Sequence, residues 1–274
     1  DQITFQSVSY LPRTMLLSGE ECPEVLLTPE VITLDEIIIK DVITLGIDQN
    51  VRGSFVVHTE RLGILPGLNE PDVLQSIQAL PGIQSVSEKI SDINIRGGTN
   101  DQNLVTWNGI KMYQTGHFFG LISAFNPYLT DEVNVIRNGT PAMLGDGVSG
   151  SILLNTDNEV NHTVSGAAGV NMVYGDIWTK LPAGKDASVH ISGRRAFTDW
   201  FTSPTYEKYF DRVFSNTEVD EASRSGAQEI SSEQSFYFYD LSGKVLWDPT
   251  PDDRIRISFL NIYNKVAYDE QGQV

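Results

Sequence analysis

Apolar residues along this chain recur mostly at every second position, the period of a half-buried strand. Ile3 and Phe5, then Val8 and Tyr10, form one such set, and residues 25–27 form another beyond a polar turn at 19–23. Residues 54–57 (Ser-Phe-Val-Val) predict a further strand. The one clear helical period lies at 69–80, where Val73, Leu74, Ile77 and Leu80 share a face. Asn69 is placed to cap it, Pro71 suits an early position, Asp72 lies near the positive end, and Pro81-Gly82 stops it. Short strands follow at 93–96, 104–107, 132–136 and 151–155. Asn108-Gly109 after the second of these is a strong hairpin signal.

From residue 163 the runs lengthen. Val164, Gly166, Ala168, Val170, Met172 and Tyr174 read as one face of a long strand. Val189, Ile191, Gly193 and Phe197 repeat the pattern, as do Tyr237, Tyr239, Leu241, Val245 and Trp247, and then Ile255, Ile257, Phe259 and Tyr263. Tight turns at 182–185 and 248–253 separate some of them, and a long acidic, polar loop is expected at 200–235. Long alternating strands joined by tight turns and long polar loops predict an antiparallel transmembrane β-barrel. Tyr174, Trp178, Phe197, Trp200, Tyr237 and Trp247 near strand ends would form its interfacial girdle. Four or five such strands cannot close a cylinder, since the smallest membrane barrels need about 8. Residues 163–274 therefore read as the opening of a larger barrel, and the chain, which starts in a strand without a secretory signal, as a piece of something longer.

The formal net charge of −17 argues against nucleic acid as a partner, because phosphate binding needs clustered Lys and Arg. Charged residues make up only 20% of the 274, which suits a turn-rich β protein better than a helical bundle. A single cysteine, Cys22, excludes an internal disulfide and a four-cysteine metal site. The four histidines have no metal-ligand spacing, no Ser-His-Asp order is supported, and Gly97-Gly98 and Gly145-Asp146-Gly147 lack the pattern of a phosphate cradle. Neither catalysis, nor a metal, nor a cofactor is expected.

Five motifs in order, over residues 70–155, resemble the plug domain of TonB-dependent outer-membrane receptors. They are Asp72-Val73-Leu74 through Leu80-Pro81-Gly82-Ile83; Ile93-Asn94-Ile95-Arg96-Gly97; Leu104-Val105-Thr106-Trp107-Asn108-Gly109-Ile110; Glu132-Val133-Asn134-Val135-Ile136-Arg137-Asn138-Gly139; and the Gly-rich stretch from Gly145 to Leu154. Asn108 stands where the family has Asp, and Leu144 where it has Tyr. The insert from His117-Phe118-Phe119-Gly120 to Phe125-Asn126-Pro127 looks like the Bacteroidota branch, in which a carboxypeptidase-regulatory-like β-sandwich precedes the plug. The resemblance implies an α+β plug domain with the first strands of an antiparallel transmembrane β-barrel, after an N-terminal β-sandwich remnant. Its divisions are 1–33 for the end of the sandwich, 34–68 for a coupling segment and linker, 69–158 for the plug and 159–274 for barrel strands and loops.

The implied function is TonB-dependent import of a nutrient across the bacterial outer membrane, with the plug gating the barrel. The implied partners are a TonB-type energy-coupling protein, outer-membrane lipid and a small-molecule, glycan or peptide substrate; a lid lipoprotein stays open. Leu34, Asp35, Glu36, Ile37, Ile38 and Ile39 look like the energy-coupling box, a β-prone peptide able to add to a partner's sheet edge. The plain alternative is a last sandwich strand or a linker. Tyr113, His117, Phe118 and Phe119 are candidate substrate contacts, since exposed aromatic rings stack on sugars, chelates or peptides, while the phenylalanines also suit the plug interior. Arg96, Arg137 and Arg194 are candidate plug–barrel contacts, with Arg194 on the lumen parity and Arg195 on the other, near a membrane boundary or past a bulge. The rival reading is a secreted β-rich adhesion or glycan-binding module, which accounts for strands and acidity but not for the ordered motifs.

Overall fold

The computed structural model describes residues 2–16, 24–29, 40–50, 53–65, 71–86, 89–137, 140–214 and 235–267. Two units divide the chain, Asp1–Ile39 and Lys40–Val274. In the first, β1 (Gln2–Phe5) pairs antiparallel with β2 (Arg13–Leu16), and the Thr4 and Thr14 hydroxyls meet across the ladder at 3.0 Å. The strand expected to reach Tyr10 stops at Phe5, because the chain turns at Ser9 with φ 69°. Residues 24–28 join no sheet; they lie against Arg13, which donates to the Leu26 carbonyl at 2.8 Å, and Leu11, whose amide donates to the Thr28 carbonyl at 2.9 Å. One ladder and no second sheet is what this unit shows among the described residues. The turn at 19–23 and the coupling segment at 34–39 lie outside them.

The second unit forms, in chain order, β3 (Lys40–Thr44), β4 (Ile47–Asn50), β5 (Phe55–His58), the single-turn helix α1 (Thr59–Leu62) and α2 (Val73–Gln78). The two-residue strands β6 (Ile83–Gln84) and β7 (Asn94–Ile95) follow, then β8 (Asn103–Trp107), β9 (Ile110–Lys111), β10 (Gly116–His117), β11 (Ile122–Ser123), β12 (Thr130–Ile136) and β13 (Gly150–Thr156). Seven strands make one sheet in the order β3-β4-β5-β12-β13-β8-β9, antiparallel except where β13 runs parallel to β8. The sheet's Val57, Val133, Val135, Ile152 and Leu154 and the helix's Val73, Leu74 and Ile77 are buried in one core. Burying side chains of that size contributes about 1.5–3 kcal/mol each before entropy is counted.

Asp72, not Asn69, caps α2: its Oδ1 accepts from the Gln75 amide at 2.9 Å. Asn69 lies outside the described residues, and the helix is shorter than the apolar period predicts because residues 79–82 already form the turn that Gly82 closes at φ 79°. The Asn108-Gly109 hairpin forms as read. Trp107 pairs with Ile110, and both turn residues have positive φ, 47° and 80°, the signature of a type I′ turn.

Beyond Thr156 the chain builds a second sheet, an antiparallel meander of β14 (Ser165–Val170), β15 (Tyr174–Pro182), β16 (Ala187–Ala196), β17 (Ser235–Trp247) and β18 (Ile255–Ala267). It curves past the α+β layer without closing, and Leu260 packs on that layer's core. The single strand expected from Val164 to Tyr174 is two strands, because Asn171 Oδ1 accepts from the Val173 and Tyr174 amides, both at 2.8 Å, and folds the chain back. The three-residue turn inverts the alternation. Tyr174 and Trp178 therefore face the α+β layer rather than an outer girdle; Trp178 stacks on Tyr128 at 6.1 Å.

On β17 the alternation is complete. Phe236, Phe238, Asp240, Ser242, Lys244 and Leu246 are buried toward the α+β layer, and Tyr237, Tyr239, Leu241, Val245 and Trp247 face out. The long connection after β16 also differs from expectation. It contains α3 (Pro204–Phe214), started by Ser203, whose Oγ accepts from the Tyr206 amide at 3.1 Å. No helix is long and apolar enough to cross a membrane among the described residues.

Candidate functional site at the contact of hairpin and wall

The hairpin of β10 and β11 is the part of the α+β layer that reaches into the meander's inner face. Its tip is tight: a Cβ on Gly116 would lie 2.9 Å from Gly120 Cα. Phe118, Phe119 and Gly120 turn through positive φ values of 51°, 56° and 89°. Two bulky residues in that region are strained, and they persist only where surroundings over-determine them. Here the surroundings are aromatic. Phe118 is fully buried, with Phe236 at 4.3 Å and Tyr206 edge-on at 5.5 Å.

His117, beside it, is also fully buried and stacks on Phe238 at 4.3 Å. Its Nε2 donates to Asp240 Oδ2 at 3.0 Å, and its Nδ1 is 2.8 Å from the Asn264 side-chain oxygen. Asp240 Oδ2 also accepts from Arg194 Nε at 2.7 Å. Arg194 passes on to the hairpin, donating from Nη2 to the Ser123 carbonyl at 2.5 Å. The Ser123 amide in turn lies 3.3 Å from Asp72 Oδ2, so one carboxylate holds both the start of α2 and the end of the hairpin. Burial pushes the Asp72 carboxyl up, and the Gln75 amide and Arg194 only partly offset it. A cavity of about 170 Å³ opens beside this chain of contacts, lined among others by Asp72, Gln75, Tyr128, Asp176, Arg194 and Tyr209.

A second contact lies near the other end of the strands. Lys244 Nζ donates to the Thr156 carbonyl and hydroxyl, the Asp157 carbonyl and Asn158 Oδ1 at 2.6–3.0 Å. Lys180 pairs with Asp157 at 3.0 Å. Asp157 is pushed up by burial, but the Glu159 amide and Lys180 outweigh this and hold it below the usual carboxylate range.

The candidate residues fall into three groups. His117, Phe118 and Arg194 meet at the hairpin contact, the first two buried rather than open to a ligand. Tyr113, exposed by 87%, and Phe119, exposed by 44%, lie at the surface. Arg137 lies within the α+β layer, donating to the Pro81 and Gly53 carbonyls at 2.8 and 3.3 Å with its guanidinium over Phe55, and Arg96 neighbours it around Gly82. Sequence reading passed over Asp240, Asn264, Lys244 and Asp157. The signal was present in β17, where Asp240 and Lys244 interrupt a strand whose other face is aromatic and aliphatic. A charge held at that parity marks the inner side.

The fold is an α+β layer held by a few buried polar contacts against an open, curved antiparallel sheet. Residues 56–152 match one family model, the TonB-dependent Receptor Plug Domain. Among solved structures it is similar to the siderophore receptor PirA from Acinetobacter baumannii, at 15% identity and a TM-score of 0.50, over 78% of this chain and 32% of that one. It is likewise similar to the copper transporter OprC, at 14% identity and a TM-score of 0.50, over 82% of this chain and 32% of that one. At these identities the likeness shows the fold, and the chain spans about a third of the length of either. No curated protein sequence matches the chain. The plug-domain match and these neighbours indicate the bacterial outer membrane.

Proposed function

We propose that this chain is the gate and first wall segment of a TonB-dependent importer that carries a nutrient across the outer membrane. The observation that carries this reading is the buried polar contact of His117, Asp240, Arg194 and Ser123, in which a strained plug hairpin is held by the barrel wall. A static filler would be held by apolar packing alone. Polar contacts in a small number can be exchanged for water or ligand groups, so the plug can leave and return. Tyr113 and Phe119 are the substrate contacts available in the closed state, and His117 and Phe118 become available once the hairpin moves. Arg137 holds the plug's own carbonyls at Pro81 and Gly53, with Arg96 beside it at Gly82, while Arg194 is the barrel's hand on the plug.

In the same reading residues 34–39 receive the energy-coupling protein by strand addition. Residues 1–33 are the end of a carboxypeptidase-regulatory-like β-sandwich, as in the Bacteroidota branch, and the barrel begins at 159; the stretch read as linker to 68 instead supplies β3, β4 and β5 to the plug sheet, so the plug starts at Lys40 rather than at 69. A small molecule, glycan or peptide is the cargo, and a lid lipoprotein is compatible with it. An adhesion module would explain the strands but not a plug domain.

Whole-cell assays that read substrate binding and uptake separately test the reading. Ile38→Pro removes one N–H and fixes φ, so uptake should vanish while binding persists; Ile38→Val should transport nearly as wild type. Normal uptake by the proline variant would sink the coupling role of 34–39. Uptake unchanged by deletion of the whole plug would sink the gate.

A further inference from the structure

The outward face of the meander is not uniformly filled. Gly193 on β16 leaves a shallow groove of about 540 Å³, walled by Val170, Ile177, Leu241 and by Phe197, whose ring packs over Gly175 on β15. The lining is almost wholly apolar. Space at Gly193 is real: a Cβ there would find Leu241 Cδ1 at 3.7 Å and nothing closer. Ile177 and Leu241 are exposed by 59% and 44%, so the groove faces whatever surrounds the barrel.

At one end stands Arg195, on the outward parity one residue before the end of β16. Its guanidinium lies 4.3 Å from Trp200 and 5.2 Å from Tyr237 by ring centroid. Nε donates to the Tyr237 hydroxyl at 3.0 Å and Nη2 to Asp199 at 2.7 Å. Nη1, with two hydrogens, has no partner among the described residues. Arginine suits phosphate because its planar fork offers parallel donors, and a cation on a barrel's outer face is tolerated only at head-group depth. The arrangement is thus an apolar groove leading up to a stacked, partly unsatisfied arginine framed by rings.

Depth also decides which leaflet. The turns at 183–186 and 248–254 are short, and the connection after β16 is long. In outer-membrane barrels long loops lie outside the cell and short turns in the periplasm. Arg195 is at the long-loop end.

We propose that this face binds one molecule of the phosphorylated glycolipid of the outer leaflet, with an acyl chain in the groove at Gly193 and a phosphate on Arg195 Nη1. The inference rests on reading the odd-numbered face of β16 and β17 as lipid-facing. Phospholipid alone would fill the groove but would come from the other leaflet.

Native mass spectrometry of the full-length protein in detergent, with lipid A or phosphatidylglycerol added, tests it. Wild type should retain one lipid A and not retain phosphatidylglycerol. Gly193→Leu, which fills the groove, and Arg195→Gln should each lower lipid A retention at least fivefold. Gly243→Leu, on the same outward face but outside the groove and also free of close contacts at its Cβ, should bind as wild type. Full retention by both Gly193→Leu and Arg195→Gln, equal loss in Gly243→Leu, or equal binding of phosphatidylglycerol overturns the proposal. Each variant is checked for the heat-dependent gel mobility of a folded barrel. A wild type without that mobility and soluble without detergent would instead overturn the lipid-facing reading itself.

Discussion

Lys244, on the inner face of β17, takes both the carbonyl and the hydroxyl of Thr156, the last residue of the plug's last strand, at 3.0 and 2.9 Å. The plug therefore ends against the wall in which its continuation is about to run. Lys244→Met leaves several acceptors unpaired in a buried place and should destabilise the protein by about 2–3 kcal/mol. Chemical unfolding of wild type and variant in the same detergent measures this; an unchanged midpoint would show that the contact contributes nothing.

Removing Asp240 strands two donors at once, Arg194 Nε and His117 Nε2. Breaking a buried ion pair from one side costs about 3–5 kcal/mol, so Asp240→Ala should loosen the hairpin more than His117→Phe, which keeps the stack on Phe238. In the proposed importer, sensitivity of cells expressing the full-length protein to a bulky antibiotic reports the difference. Equal sensitivity of the two variants would contradict the assignment of Asp240 as the hub.

Asp72 supplies a pH test with a fixed sign. Its carboxyl is raised above the ordinary 3.8 in the folded plug, chiefly by burial. The stability it contributes is therefore fully present below the ordinary value and is lost as pH rises through the folded one. Unfolding of wild type should become easier over that window relative to Asp72→Asn, whose side chain does not titrate. A wild-type curve parallel to that of the variant would refute this.

Asp157 and Asp248 act in the opposite sense. Asp157 stands below the usual range despite burial, held by the Glu159 amide and Lys180, and Asp248 is held low by its hydrogen bond to Arg256. What they contribute is present above the ordinary 3.8 and lost as pH falls through their folded values. Asp157→Asn should accordingly differ most from wild type at neutral pH and converge with it in acid.

Gly109 at φ 80° has open space around its Cβ, so Gly109→Val tests conformation without a clash. A β-branched residue held there costs about 1–3 kcal/mol. Thermal unfolding should show that loss with substrate preference unchanged, since the turn faces Thr156, not the hairpin tip.

How much was legible in the sequence depends on how local the determinants were. The Asn108-Gly109 turn carries its own backbone requirement, and the plug strands carry their own alternation, so both were readable. The parity of Tyr174 was not, because a three-residue turn held by one side chain, Asn171, inverts the faces. The helix at 204–214 had a signal that polarity masked: Ser203 and Pro204 at its start and Tyr206, Tyr209, Phe210 and Val213 at helical spacing. The hairpin contact pairs residues as far apart as His117 and Asn264, and no local pattern announces a partner 147 positions away.

The two left-handed phenylalanines at the hairpin tip have a kinetic consequence. Each holds about 1–3 kcal/mol of backbone strain, offset by the aromatic pocket only while the ring is seated. Withdrawal of Phe118 releases that strain at once, whereas reseating must rebuild it before the ring regains its neighbours. Release is thereby hastened and reseating delayed, so in the proposed importer the hairpin, once unlatched, would stay unlatched for longer than the event that released it.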